Sequence, residues 1–144
     1  MEKNTLYLLF KDVIKEHFRR KEKLLGDLKL HRGQAPVLLL LGEKDGLVQK
    51  EISERLKIKP STVTLIIKRM EKRGLVFSKR DEKDKRFSKI YLTEDGRKFI
   101  CKLKKTFGQL EEEMFSGFSE EEKIILEGYL RRIQDNLEKI NKER

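Results

Sequence analysis

The stretch that decides the fold runs over residues 49–76 and reads QKEISERLKIKPSTVTLIIKRMEKRGLV. Its apolar residues recur every three or four positions in two blocks, which predicts two amphipathic helices over about 49–56 and 60–73. Pro60 suits the first position of the second helix, and Gly74 is a stop signal. Three residues lie between the blocks. A short helix, a three-residue turn and a second helix have the spacing of a helix-turn-helix.

The hydrophobic period changes from 3.6 to 2 directly after Gly74. Residues 75–77 and 90–92 have the composition of strand ends, and the segment from Lys79 to Lys89 between them is almost wholly polar. This pattern predicts a β-hairpin with a long charged tip. A hairpin that follows a helix-turn-helix forms the wing of a winged helix.

Helices are predicted on both sides of this winged helix. Residues 6–18 place apolar side chains at helical spacing, and residues 35–41 are apolar on all sides, as in a central core helix. After the hairpin, Thr93 is expected to cap a helix that continues to about residue 114. Ser119 and Glu122 form a capping box for a last helix, whose apolar side chains have coiled-coil spacing: Leu126, Leu130, Ile133, Leu137 and Ile140. The predicted fold is mainly α with a small β-hairpin wing.

The length of 144 residues favours one domain, residues 1–144. The longest apolar run, residues 36–41, is far shorter than the roughly 18 residues of a membrane span. The first residues do not have the pattern of a secretory leader, so we expect a cytoplasmic protein. A single cysteine, Cys101, excludes an intramolecular disulfide, and we interpret it as a structural residue.

Positive charge is concentrated in the middle of the chain. Of the 35 Lys and Arg residues, 14 lie in residues 48–93, against 6 of the 25 Asp and Glu residues. The rest of the chain therefore has 21 basic and 19 acidic residues. An abundance of Lys and Glu explains a charged surface, but it does not explain this asymmetry. The asymmetry favours an acidic partner such as nucleic acid.

Three motifs resemble those of the MarR (multiple antibiotic resistance regulator) family. Residues 49–56 are similar to the first helix of its helix-turn-helix. Residues 60–64, continuing to residues 72–76, resemble its recognition helix and the turn into the wing. Asp84-Lys85-Arg86, followed after three residues by Ile90-Tyr91-Leu92-Thr93, is similar to its wing signature. The resemblance implies a winged helix-turn-helix lobe over residues 30–95, with dimerisation helices over residues 1–29 and 96–144.

The second helix of a helix-turn-helix lies in the major groove, with its N-terminal residues nearest the bases. Once the apolar stripe faces the core, the outward residues are Ser61, Thr62, Thr64, Leu65 and Lys68. Their hydroxyl and methyl groups can contact bases or phosphates, whereas Ser61 and Thr62 can instead cap the helix. Leu65 and Lys68 depart from the residues common in the family, so base preference does not transfer.

Arg86 is the predicted wing contact, because a guanidinium can enter a narrow minor groove. Asp84, two residues away on the same side of a strand-like segment, is expected to hold the guanidinium by a paired hydrogen bond. The alternative is a surface ion pair without a role in binding. Phosphate contacts are expected from the remaining basic residues of the hairpin: Lys79, Arg80, Lys83, Lys85 and Lys89.

The resemblance further implies a homodimer on a pseudo-palindromic double-stranded DNA operator, and a transcriptional regulator, usually a repressor. Family members are typically released from DNA by a small phenolic or carboxylate effector. Apolar faces on the terminal helices also favour a dimer, with intrachain packing as the alternative. No catalytic constellation, cofactor motif or metal site is expected from the residues. The competing function is a nonspecific architectural or protein-docking winged-helix module.

Overall fold

The computed structural model describes residues 4–143, which form six α-helices and three β-strands. The helices are α1 (Thr5–Asp27), α2 (Gln34–Glu43), α3 (Gln49–Leu56), α4 (Pro60–Lys72), α5 (Glu94–Met114) and α6 (Glu120–Lys142). The strands are β1 (Leu47–Val48), β2 (Val76–Arg80) and β3 (Ser88–Leu92). The chain divides into two compact units, of which the first ends at Gly108 and the second begins at Gln109. The element order confirms the predicted winged helix-turn-helix with helices on both sides.

Helix α2 lies in the core of the first unit. Its side chains Val37, Leu38 and Leu41 are at most 1% exposed, and they share a cluster with Ile52 of α3 and Met70 of α4. Burial of each such side chain contributes about 1.5–3 kcal/mol. The all-round apolar pattern therefore marked the helix on which the helix-turn-helix packs.

The turn between α3 and α4 is fixed by local hydrogen bonds. Lys57 adopts a left-handed conformation with φ of 53°. The hydroxyl of Ser53 donates to the carbonyl oxygen of Ile58 at 2.6 Å, and the Ile58 amide donates back to the Ser53 carbonyl at 3.2 Å. Because these bonds tie the turn to α3, the start of α4 has a defined position.

The wing is a three-stranded antiparallel sheet in the order β1-β3-β2. Val76 pairs with Leu92 and Arg80 with Ser88, which confirms the predicted hairpin. Strand β1, paired through Leu47 and Ile90, was not predicted, because two residues are too few to show alternation.

The charged tip predicted between Lys79 and Lys89 is longer than the observed connection between β2 and β3. Lys79, Arg80 and Lys89 lie within β2 and β3, and the connection between the strands is confined to residues 81–87. The outer ends of these strands are polar because both of their faces meet solvent. The backbone pairs without apolar side chains, so the sequence shows no alternation by which these residues could be recognised as strand.

Thr93 caps α5, as predicted, and also bonds to the turn before the wing. Its hydroxyl accepts the Gly96 amide at 3.0 Å and donates to the Gly74 carbonyl at 2.5 Å. A Cβ on Gly96 would collide with the backbone carbonyl of Leu75. This position therefore requires glycine, because the residue before β2 and the first turn of α5 approach so closely there.

In the second unit, the predicted capping box opens α6. The Ser119 amide donates to Glu122 Oε1 at 3.0 Å, and the Glu122 amide donates to Ser119 Oγ at 3.1 Å. The bond from the Ser119 amide also lowers the pKa of Glu122 below its usual value. None of the α6 side chains is buried, so its apolar stripe is formed but uncovered.

Candidate nucleic-acid interface

The outward face of α4 presents most of the predicted contact residues to solvent. Ser61, Thr62 and Lys68 are exposed, and Leu65 is 49% exposed despite its apolar side chain. They lie outside the stripe that α4 buries, which consists of Val63, Ile66, Ile67 and Met70. The amphipathic pattern thus separates the residues that support α4 from those available to a partner.

The N-cap position of α4 is Lys59, which makes no side-chain capping bond. Its carbonyl oxygen instead accepts the amides of Thr62 and Val63 at 3.0 and 3.1 Å. The helix N-terminus carries the positive end of the helix dipole and can receive a phosphate oxygen. A poor cap in the protein is consistent with an anionic partner at this end.

Thr64 differs from the other outward residues, because it is half-buried and its hydroxyl is engaged within the protein. The hydroxyl oxygen lies 2.8 Å from Oε1 of Gln49 and 3.1 Å from the carbonyl oxygen of Pro60. Sequence reasoning missed Gln49, since the two residues are 15 positions apart and meet only when α3 packs on α4.

The wing tip holds Asp84 and Arg86 together. Nε and one terminal nitrogen of Arg86 donate to the two carboxylate oxygens of Asp84 at 3.0 and 2.8 Å. This forked bond lowers the pKa of Asp84 and raises the pKa of Arg86, which keeps both groups charged. The Arg86 side chain is nevertheless 83% exposed.

The backbone at the tip is a turn, so the expectation of a strand-like segment was wrong. The Phe87 amide donates to the Asp84 carbonyl at 3.2 Å, and the Arg86 amide donates to Asp84 Oδ1 at 3.1 Å. An Asp side chain that accepts the amide two residues later stabilises such a turn. Asp84 therefore shapes the tip and orients the guanidinium with the same carboxylate.

The remaining basic residues line the hairpin. Lys79, Arg80, Lys83 and Lys85 are exposed. Lys89 lies directly opposite Lys79 in the strand pairing, and its ammonium is 3.9 Å from Asp81. Like charges opposite each other destabilise a hairpin. An anion along this edge would relieve that repulsion.

Arg73 shows that not every basic residue of the middle segment serves a partner. Its guanidinium donates to the backbone carbonyl of Lys29 at 2.8 Å and lies 5.2 Å from the ring centre of Phe99. It therefore links the end of α4 to the segment after α1 and to α5. The charge count included it because a count does not distinguish structural from accessible cations.

The site has no metal-binding cluster: within residues 4–143, His, Cys, Asp and Glu side chains form no group of three suited to an ion. Cys101 is exposed on α5, so our interpretation of it as a structural residue is not supported by burial. Across the same range, no helix combines the length and apolarity that a bilayer span needs.

Comparisons with known proteins agree with this geometry. The MarR family model matches residues 30–87. The Bacillus subtilis (strain 168) protein described as the uncharacterized HTH-type transcriptional regulator YybA is 33% identical over 113 residues, which cover 78% of this chain and 75% of that protein.

Solved structures extend the similarity to the whole fold. A MarR transcriptional regulator from Methanosarcina mazei Go1 is 30% identical with a TM-score of 0.75, covering 92% of this chain and 98% of that one. The S. aureus MepR–DNA complex is 25% identical with a TM-score of 0.73, covering 93% and 99%. The matches are to transcriptional regulators, which favours site-selective binding over a nonspecific architectural module. The chain belongs to the MarR family and is a sequence-specific, DNA-binding transcriptional regulator.

Proposed function

We propose that this regulator binds a pseudo-palindromic double-stranded DNA operator as a homodimer and represses transcription from it. In this proposal residues 30–95 contact DNA, and residues 1–29 and 96–144 form the dimer. The regulator acts in the cytoplasm, where the operator is accessible, and it has no catalytic role. The observation that carries the proposal is the exposure of the outward face of α4 together with a wing tip whose arginine is already oriented.

The contacts divide into reading and positioning. Ser61, Thr62, Thr64, Leu65 and Lys68 face the major groove, and Arg86, held by Asp84, enters the minor groove. Lys79, Arg80, Lys83, Lys85 and Lys89 contact phosphates, which supplies affinity without sequence preference. Exposure of all these side chains except the half-buried Thr64, Asp84 and Lys89 supports this division.

Selection of bound fragments from random duplex DNA tests the operator. A two-fold symmetric consensus, with half-site centres about one helical turn apart, is the expected result. Recovery of fragments without a shared sequence would contradict the proposal.

Uncovered apolar side chains on two helices support the dimer. On α1, Leu6 is 84% exposed and Leu9 58% exposed, and on α6, Leu137 is 53% and Ile140 63% exposed. Apolar surface of this extent on a regular stripe is typical of a protein interface. Within each compact unit, intrachain packing, the alternative interpretation, does not cover these side chains.

Sedimentation equilibrium tests the dimer. The wild-type chain should give about twice its mass of 17.2 kDa. Leu137→Glu should give a monomer, because it places a charge in the apolar stripe, whereas Asn136→Glu adds the same charge outside that stripe and should remain dimeric. A wild-type monomer at micromolar concentration would contradict the proposal.

A cavity of about 740 Å³ in the first unit supports a small-molecule effector. Its wall combines apolar side chains such as Leu25 and Ile66 with two basic residues, Lys21 and Arg32, and one acidic residue, Glu22. Gly33 and Ala35, at the start of α2, also line it. Basic side chains and a helix N-terminus suit an anionic group, and the apolar wall suits an aromatic ring. The proposed effector is a phenolic or carboxylate compound.

Thr62 connects this cavity to DNA binding. It lines the cavity and also lies on the outward face of α4, so a bound molecule would meet the DNA-contacting helix directly.

A panel of hydroxybenzoates, benzoates and aliphatic carboxylates tests the effector, with operator affinity as the measurement. At least one hydroxybenzoate or benzoate should weaken DNA binding by the wild-type protein, and Arg32→Ala should reduce its potency. Lys44→Ala, which removes an exposed charge that does not line the cavity, serves as the control. Equal potency on all three proteins would contradict this location.

A further inference from the structure

We propose that Thr64 reads a thymine through its methyl group and that Gln49 is the positioning residue that makes it do so. The inference rests on the proposed operator contact of α4 and assigns the chemistry of one position within it. It starts from the hydrogen bonds of the Thr64 hydroxyl.

A threonine hydroxyl has one proton to donate. In this structure two oxygens compete for it: Gln49 Oε1 at 2.8 Å and the Pro60 carbonyl at 3.1 Å. Neither carbonyl-type oxygen can donate in return, so the proton stays within the protein. Thr64 therefore cannot donate to N7 or O6 of guanine, N7 of adenine or O4 of thymine, which are the major-groove acceptors.

The methyl group of Thr64 takes part in no hydrogen bond and remains available for an apolar contact. Its natural major-groove partner is the C5 methyl of thymine, which is the apolar feature that distinguishes this base. Leu65, the next residue, is 49% exposed and adds a second apolar side chain to the outward surface of α4, about 100° further around the helix axis. An apolar contact with the Thr64 methyl favours a methyl-bearing base over cytosine or a purine.

Gln49 contributes by restricting the Thr64 rotamer. A threonine in a helix divides between two χ1 rotamers, because its hydroxyl can bond to carbonyls of the preceding turn in either. An additional acceptor on α3 favours the rotamer that places the hydroxyl within hydrogen-bond distance of both oxygens. The direction of the methyl group is then fixed before DNA binds.

A methyl-deletion cycle tests the contact on the operator obtained by selection. Replacing each thymine of the half-site in turn with deoxyuridine removes only the C5 methyl, and Thr64→Ser removes only the protein methyl. The reference is the wild-type protein on the unmodified operator. At one thymine position, either deletion alone should weaken binding roughly fourfold per half-site, or about fifteenfold over both half-sites, from the loss of one buried methyl-sized group. The two deletions together should cost no more than one, because they remove the same contact.

Thr64→Val distinguishes methyl from hydroxyl readout. It keeps the shape of threonine without the hydroxyl, so the selected consensus should be unchanged. Gln49→Met should reduce the preference for thymine over uracil while leaving the thermal midpoint close to wild type. Gln49→Glu retains an acceptor and should keep that preference, although its negative charge weakens binding to every sequence.

Thr106→Ser and Thr106→Val are matched controls, since the Thr106 hydroxyl makes the same bond to the carbonyl four residues earlier, Lys102 O at 3.0 Å, on α5. Neither should change the thymine preference. A wild-type selection without a consensus would overturn the proposed function and this inference with it. A consensus that is insensitive to every uracil substitution, or one that Thr64→Val alters, would overturn the methyl contact alone.

Discussion

Arg86→Ala removes the side chain on which minor-groove binding by the wing should depend. In the free protein the guanidinium is bound through two nitrogens to Asp84, and the backbone amide of Arg86 binds the same carboxylate. The side chain is 83% exposed, so it supports no core. We therefore expect a loss of DNA affinity without a change in the thermal midpoint or in dimer mass.

The magnitude follows from two consequences of the substitution. First, the substitution removes a guanidinium that is ordered before binding and therefore loses little conformational entropy when DNA binds. Second, it leaves the carboxylate of Asp84 unpaired beside a polyanion. Loss of a specific groove contact of this kind lowers affinity roughly 5- to 150-fold. Lys83→Ala removes an exposed charge from the same tip but no forked bond, so it should cost clearly less.

Fluorescence anisotropy on one operator duplex at fixed salt measures both losses. Arg86→Lys should restore only part of the affinity, because an ammonium lacks the planar fork and holds its water more tightly. Asp84→Ala should cost less than Arg86→Ala, and the double variant less than their sum. The excess loss of Arg86→Ala should shrink on sites with a wide minor groove. Equal losses for Arg86→Ala and Lys83→Ala would refute the minor-groove role.

Three further predictions test the other parts of the molecule. Lys85→Ala should weaken specific and nonspecific DNA binding alike and reduce the slope of log affinity against log salt concentration by about one unit. Leu65→Ala should instead change base preference and leave that slope unchanged. Similar behaviour of the two variants would contradict the division of contacts. Gly96→Ala should destabilise the fold by about 2 kcal/mol in denaturant unfolding, because its Cβ meets the Leu75 carbonyl, whereas Gly108→Ala, with open space around it, should be neutral or stabilising. The lowered pKa of Glu122 means that its cap stabilises α6 above the usual glutamate pKa of about 4.3 and loses that effect as pH falls through the lowered value. The thermal midpoint of wild type should therefore exceed that of Glu122→Gln at pH 7, and the gap should close below about pH 4; a constant gap would count against the capping role.

The fold was accessible from the sequence because its signals are local. The stripe of α4, the all-round apolar α2, the cap at Thr93 and the box at Ser119 each depend on residues within one or two turns of each other. Such patterns are written along the chain, and the three motifs that resemble the MarR family are likewise continuous segments. Once the apolar stripe of α4 was known, the remaining residues of the helix were assigned to its outward face.

The tertiary structure decided which of those residues are free to bind and in what way. The bond between Gln49 and Thr64, the clamp of Arg73 on Lys29 and the pairing of β1 with β3 all join segments that the sequence keeps apart. The turn at the wing tip is local, yet polar residues there support a strand and a turn equally well, and only the hydrogen bonds of Asp84 choose between them. Periodicity records which side of an element meets the core, whereas the partner of each exposed polar group depends on how the elements pack.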